Sequence, residues 1–107
     1  MTKQVLQINF NISISRSDFE NASAPAATVI AQTPGLTWKV WAIDEGRKEV
    51  AGIYLFDDSS SAQKYQAGEI VAMIKGNPAF SNVTLKQFEV MEDLTKVTRG
   101  PIQLVHA

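Results

Sequence analysis

The segments Leu36-Thr37-Trp38-Lys39-Val40-Trp41-Ala42-Ile43-Asp44 and Glu49-Val50-Ala51-Gly52-Ile53-Tyr54-Leu55-Phe56 decide the fold. Both are rich in β-branched and aromatic residues, and the polar group Asp44-Glu45-Gly46-Arg47 between them offers a glycine for a tight turn. They predict a hairpin. Toward the N-terminus, Val5 to Ile14 alternates almost strictly: Leu6, Ile8, Phe10, Ile12 and Ile14 lie on one side and Gln7, Asn9, Asn11 and Ser13 on the other, which is a first strand. Between that strand and the hairpin, Ser17 with Glu20 three residues on has the form of a capping box and opens an Ala-rich helix. Pro25 is expected to kink or restart this helix, and Pro34-Gly35 to stop it.

Beyond the hairpin, Asp57-Asp58-Ser59-Ser60 supplies N-caps for a second helix running to about Lys75, with Ala62, Tyr65, Ile70, Met73 and Ile74 on its apolar face. Gly76-Asn77-Pro78 ends it, and Val83 to Met91 forms a last strand. Residues 92–107 read as a tail of irregular structure or a short extra strand. The order β-α-β-β-α-β predicts a single α+β domain over residues 1–107, a ferredoxin-like antiparallel sheet with both helices on one face.

In a two-layer domain the second face of the sheet meets solvent and is expected to be polar. On the hairpin, however, large apolar groups occupy both alternating sets. An apolar patch of that size marks a partner, so the sheet is expected to pair face to face with a second copy; the alternative is that the C-terminal tail folds over it.

Composition narrows the chemistry. The chain has 107 residues, 45% of them hydrophobic and 20% charged, as in an ordinary globular domain. Ten Lys and Arg against eleven Asp and Glu give a net charge of -1, which disfavours a nucleic-acid partner. Cysteine is absent, which removes thiolate metal sites and Cys nucleophiles, and the single histidine, His106, is the penultimate residue, a poor anchor for a metal site or a catalytic triad. No apolar run approaches membrane-span length and no signal peptide is visible, so a cytoplasmic protein is expected, with neither metal nor cofactor.

Several residues remain as candidates for chemistry. Trp38 and Trp41, three apart on one strand, point to opposite faces, so one can be core while the other lines a pocket. Gln7, Asn9 and Asn11 lie on a strand expected at the sheet centre, where their amides must meet water, a partner or a ligand. Tyr54 and Tyr65 can donate to a carbonyl or phenolate, Lys39 and Arg47 can hold an anionic oxygen, and Phe56 extends the aromatic lining. Each of these also has an ordinary reading as core or solvated surface.

The run Pro34 to Trp41, followed by Ala51-Gly52-Ile53-Tyr54-Leu55-Phe56-Asp57-Asp58, Ser61-Ala62 and Tyr65, closely resembles the YdhR family of small bacterial proteins, which are assigned as monooxygenases of the dimeric α/β-barrel type. The likeness extends from Leu6 through the second helix, about three quarters of the chain; it is specific in the hairpin and not in the last strand and the tail. The resemblance implies a homodimer whose two sheets face each other. It further implies kinship with antibiotic-biosynthesis monooxygenases, which oxidise phenolic substrates with dioxygen and without metal, flavin or haem. A small aromatic or quinol-like substrate is then expected, with Trp38 as wall, Tyr54 or Tyr65 as oxyanion donor and Asn9 positioning substrate or peroxide. Trp41, Gln7, Lys39 and Phe56 complete the expected substrate contacts. Haem degradation fits less well, because the axial histidine has no counterpart among positions expected to be ordered. A non-catalytic dimer that binds a small hydrophobic ligand is the alternative.

Overall fold

The computed structural model describes residues 2–102. The elements are β1 (Gln4–Ile12), α1 (Arg16–Ile30), β2 (Leu36–Asp44), β3 (Glu49–Phe56), α2 (Ser59–Gln66), α3 (Glu69–Gly76), β4 (Phe80–Glu89) and α4 (Glu92–Val97). The strands form one antiparallel sheet in the order β2-β3-β1-β4, the ferredoxin-like arrangement. The central strand β1 explains the layering. Its even-numbered residues Leu6, Ile8, Phe10 and Ile12 are buried beneath the helices, and the register places Val50, Gly52, Tyr54 and Phe56 of β3 on that same face. Phe19 and Ile30 from α1, Ala62 and Tyr65 from α2 and Val71 from α3 close the core above them.

The local chemistry differs from the sequence reading at several points. Helix α1 is capped by Ser15, whose hydroxyl accepts from the Asp18 backbone N–H at 3.1 Å, and not by Ser17. Ser15 and Asp18 share the spacing that Ser17 and Glu20 have, and the serine adjoining the strand's end wins. Pro25 sits inside a continuous helix, because Pro25 and Asn21 are both exposed and water can satisfy the carbonyl that proline leaves unbonded. The second helix is two helices, broken at Ala67-Gly68, where glycine carries a high helical cost and Gly68 serves as the N-cap of α3. Within α3, Val71 is buried while Met73 is 68% exposed, the reverse of the expected face at that position. In the hairpin turn the left-handed residue is Lys48, at φ 50, and not Gly46. The tail also holds α4, which the sequence reading lacked.

A bulge in β2 sets the two faces of the sheet. The register runs Leu36 opposite Phe56 and then Trp38 opposite Leu55, so one residue is skipped. Leu36 therefore shares the helix-facing side with Lys39, Trp41 and Ile43, while Trp38, Val40 and Ala42 face the other way. That open face also carries Gln7, Asn9 and Asn11 from β1 and Phe88 from β4. Its covered end lies at Trp38, whose indole N–H donates to the Pro101 carbonyl at 3.0 Å, and where Leu55 and Ile102 are buried outside the main core. The tail thus crosses one end of this face and leaves Val40 and Phe88 exposed. His106 lies outside the described residues.

Candidate functional site

Between the helix-facing side of the sheet and helices α1 and α3 lies a cavity of about 180 Å³. It exists because the residues above the sheet are small where α1 crosses, Ala22, Ser23 and Ala26, and because Gly52 contributes no side chain from below. One end is closed by Phe10, Phe19 and Phe80, whose rings meet at centroid distances of 4.6 to 6.1 Å. The other end is closed by Tyr54, backed by Phe56 and Tyr65. Trp41 forms the outer wall, edge-on to Phe19 at 6.5 Å and 40% exposed. A shallower depression shares Phe19, Ser23, Trp41 and Ala42 with the cavity and extends to Arg16 and Glu20, which marks the approach from solvent.

Besides the neutral Ser23 and Asn77, two titratable groups stand in this largely apolar shell. The buried Tyr65 hydroxyl donates to the Tyr54 hydroxyl at 3.0 Å. Tyr54 lines the cavity while Tyr65 stands behind it, so the pair presents the Tyr54 hydroxyl to whatever occupies the space. Burial, followed by the adjoining Tyr65, pushes the Tyr54 hydroxyl far above the usual phenol range, and burial raises Tyr65 as well. Both are hydrogen-bond donors at neutral pH and not bases. The second group is Lys39. Its Nζ lies 3.3 Å from the Trp41 ring centroid and 4.5 Å from that of Tyr54, and burial lowers its pKa to about 7. Gly52 is what lets these side chains lie over the strand: a Cβ there would stand 3.0 Å from both Lys39 Cε and Tyr54 Cε1.

The structure brings together Tyr54, Tyr65, Lys39, Trp41 and Phe56 from the sequence-derived candidates. It does not bring Asn9, Gln7 or Trp38 to them. These three lie across the sheet, where Gln7 donates to Asn9, Asn9 donates to Glu49 at 3.3 Å and Trp38 is tied to Pro101. Arg47 is in the hairpin turn beside Asp44. Sequence reasoning missed Phe10, Phe19, Phe80 and Gly52. Glycine inside a strand is the one signal that pointed to close approach at this spot. Among the described residues no cluster of His, Cys, Asp or Glu is placed to hold a metal ion, and no helix is long and apolar enough to cross a membrane.

A family model described as "Putative mono-oxygenase ydhR" matches residues 5–101. The chain belongs to this family. No curated protein matches it by sequence. Solved structures share the fold of this YdhR-family chain at low identity. A Nitrosomonas europaea protein of unknown function, NE2512, superposes with a TM-score of 0.70 at 20% identity, over 85% of this chain and 91% of that one. SnoaB, a cofactor-independent oxygenase from Streptomyces nogalater, gives 0.67 at 15% identity over 84% and 94%. The heme-degrader MhuD from Mycobacterium tuberculosis gives 0.62 at 20% identity over 81% and 95%. The family match runs from β1 past α4 to Pro101, so it takes in β4 and most of the tail as well.

Proposed function

We infer that the protein is a cofactor-independent monooxygenase that oxidises a small phenol or quinol with dioxygen, and that it works as a homodimer closed by the open faces of two sheets. The observation that carries this reading is Tyr54, a buried hydroxyl at the wall of an aromatic-lined cavity and hydrogen-bonded to Tyr65. Membership of the family supports the reaction class, and the shared fold with an oxygenase that needs no cofactor supports its metal-free form. An apolar cavity of roughly 150 Å³ holds benzene, so this one suits a substituted single ring or two fused rings.

In this chemistry the substrate is its own reductant. As a phenolate it passes one electron to dioxygen, the resulting radical pair joins at a ring carbon, and loss of water leaves a quinone. One oxygen atom stays on the product and the other departs in water, with all electrons taken from the ring. The protein's part is to donate from Tyr54 to the substrate oxyanion, hold the ring among Phe10, Phe19, Phe80 and Trp41 and keep bulk water out. The exposed Val40, Phe88, Leu94 and Val97, at 49%, 53%, 65% and 79%, supply apolar surface for the second copy, and Gln7 and Asn9 face the same way.

Oxygen uptake by the metal-stripped protein over a panel of hydroquinones, anthrones and catechols tests the reading. Protein-dependent uptake that drops about 100-fold in Tyr54→Phe is expected. Saturable binding of the same compounds with no uptake would replace it with a small-ligand-binding protein. Sedimentation of Val40→Glu/Phe88→Glu as a monomer, against a dimeric native chain, is the outcome expected for the assembly.

A further inference from the structure

Lys39 stands where a lysine has little reason to be. It lies on β2, an edge strand from which a long side chain can reach water, yet its chain turns inward over Gly52 and its Nζ rests on the faces of Trp41 and Tyr54. Among the described residues it is the only charged side chain that lines the cavity, and it takes part in no ion pair. From β1, α1 and α3 it is faced by apolar or uncharged side chains alone; β3 brings Tyr54, with Tyr65 of α2 behind it. Neither tyrosine is an anion at neutral pH, so no described anion faces Nζ, and the ring faces of Trp41 and Tyr54 are the protein groups that partly offset its charge.

Resting on the phenol-oxygenase reading, we propose that Lys39 is the proton acceptor for the substrate: its amine takes the proton of a phenolic hydroxyl in the cavity, and the ammonium so formed holds the phenolate beside the Tyr54 hydroxyl. The step breaks the substrate O–H bond and forms an N–H bond, and the electron pair stays on the substrate oxygen, ready for dioxygen. Burial removes water from the amine and so makes its protonated form costly until an anion arrives. The phenolate supplies that anion, and in a low-dielectric pocket each charge stabilises the other. The substrate class follows: a neutral aromatic molecule with one ionisable hydroxyl, which enters uncharged through the Phe19–Trp41 mouth and ionises in place.

The probe is 3-nitrophenol, which at about pH 7 is mostly neutral in free solution and changes its visible absorption when it ionises. Titrated with the native protein it is expected to develop the phenolate band on binding; with Lys39→Met it binds, by equilibrium dialysis, without the band. Lys39→Arg, a fixed cation, is expected to restore the band while losing the rise of kcat/KM with pH through about 7 that the native amine produces. Lys39→Met is expected to lower kcat/KM about 100-fold. An equal band in Lys39→Met, a bound nitrophenol that stays neutral in the native protein, or no binding by the native protein would each overturn the assignment. The two readings fail separately. Ionisation without oxygen uptake removes the oxygenase and keeps the lysine's role, whereas uptake unchanged in Lys39→Met removes the role and keeps the oxygenase.

Discussion

The two faces of one sheet have been put to different uses. On the helix-facing side, Phe56, Tyr54 and Leu6 are buried completely or almost so, and the gap in the packing holds a hydroxyl and an amine. On the open side, Gln7, Asn9 and Asn11 form a polar file at the centre of the sheet, flanked by the exposed Val40 and Phe88. Buried polar groups are costly unless paired, so an amide file is tolerated where water or another copy can reach it and disfavoured under the helices. The difference teaches where to look for chemistry: the informative polar groups are those placed at the apolar face, not those that populate the polar one.

The same residue type on the two faces gives the sharpest contrast. Phe56→Ala is expected to destabilise the chain by about 3–5 kcal/mol in urea unfolding, since it empties a fully buried site. Gly52→Val comes next, at about 1–3 kcal/mol, because its side chain meets Lys39 and Tyr54, and it is expected to abolish oxygen uptake altogether. Equal uptake in that variant would move the site off the helix-facing side. Lys39→Met is expected to raise the melting temperature by a few degrees, with a sign fixed by linkage. The folded lysine titrates at about 7 and the unfolded one at its ordinary value of 10.5, so between these values the unfolded chain binds more protons and native stability climbs with pH. Methionine removes the penalty, and its advantage is therefore largest below pH 7 and fades toward pH 10.5. A pH-independent gain would mean that Nζ is solvated. Tyr65→Phe, which deletes the hydrogen bond to Tyr54, is expected to cost about 1 kcal/mol. Phe88→Ala, measured where the chain is monomeric, completes the series at under about 0.5 kcal/mol.

Much of the architecture was legible because period-two alternation survives in β1, in β3 and in β2 from Trp38 onward. Leu6, Ile8 and Phe10 announce the buried side, and by the same parity Gln7 and Asn9 face away from it. The candidate site was legible only in part. Alternation on β2 puts Trp38 and Lys39 on opposite faces without saying which is which, and the bulge after Leu36, a backbone event with no signature in these side chains, decides it. Trp38 consequently belongs with the tail and Trp41 with the cavity. The break at Gly68 and the choice of Ser15 over Ser17 were hidden for a similar reason: two neighbouring positions satisfied the same local rule, and packing chose between them.

The separation of the tryptophans by the sheet has a spectroscopic consequence. Each indole is an emitter housed in a different compartment: Trp41 beside Phe19 and the Lys39 amine, Trp38 hydrogen-bonded to Pro101 on the far side. With Trp38 replaced by phenylalanine, the remaining emission reports occupancy of the cavity; with Trp41 replaced, it reports docking of the tail and burial of the open face. The chain carries no other tryptophan, so two single-site variants turn it into a pair of independent optical gauges, one for what enters the sheet's inner side and one for what covers its outer side.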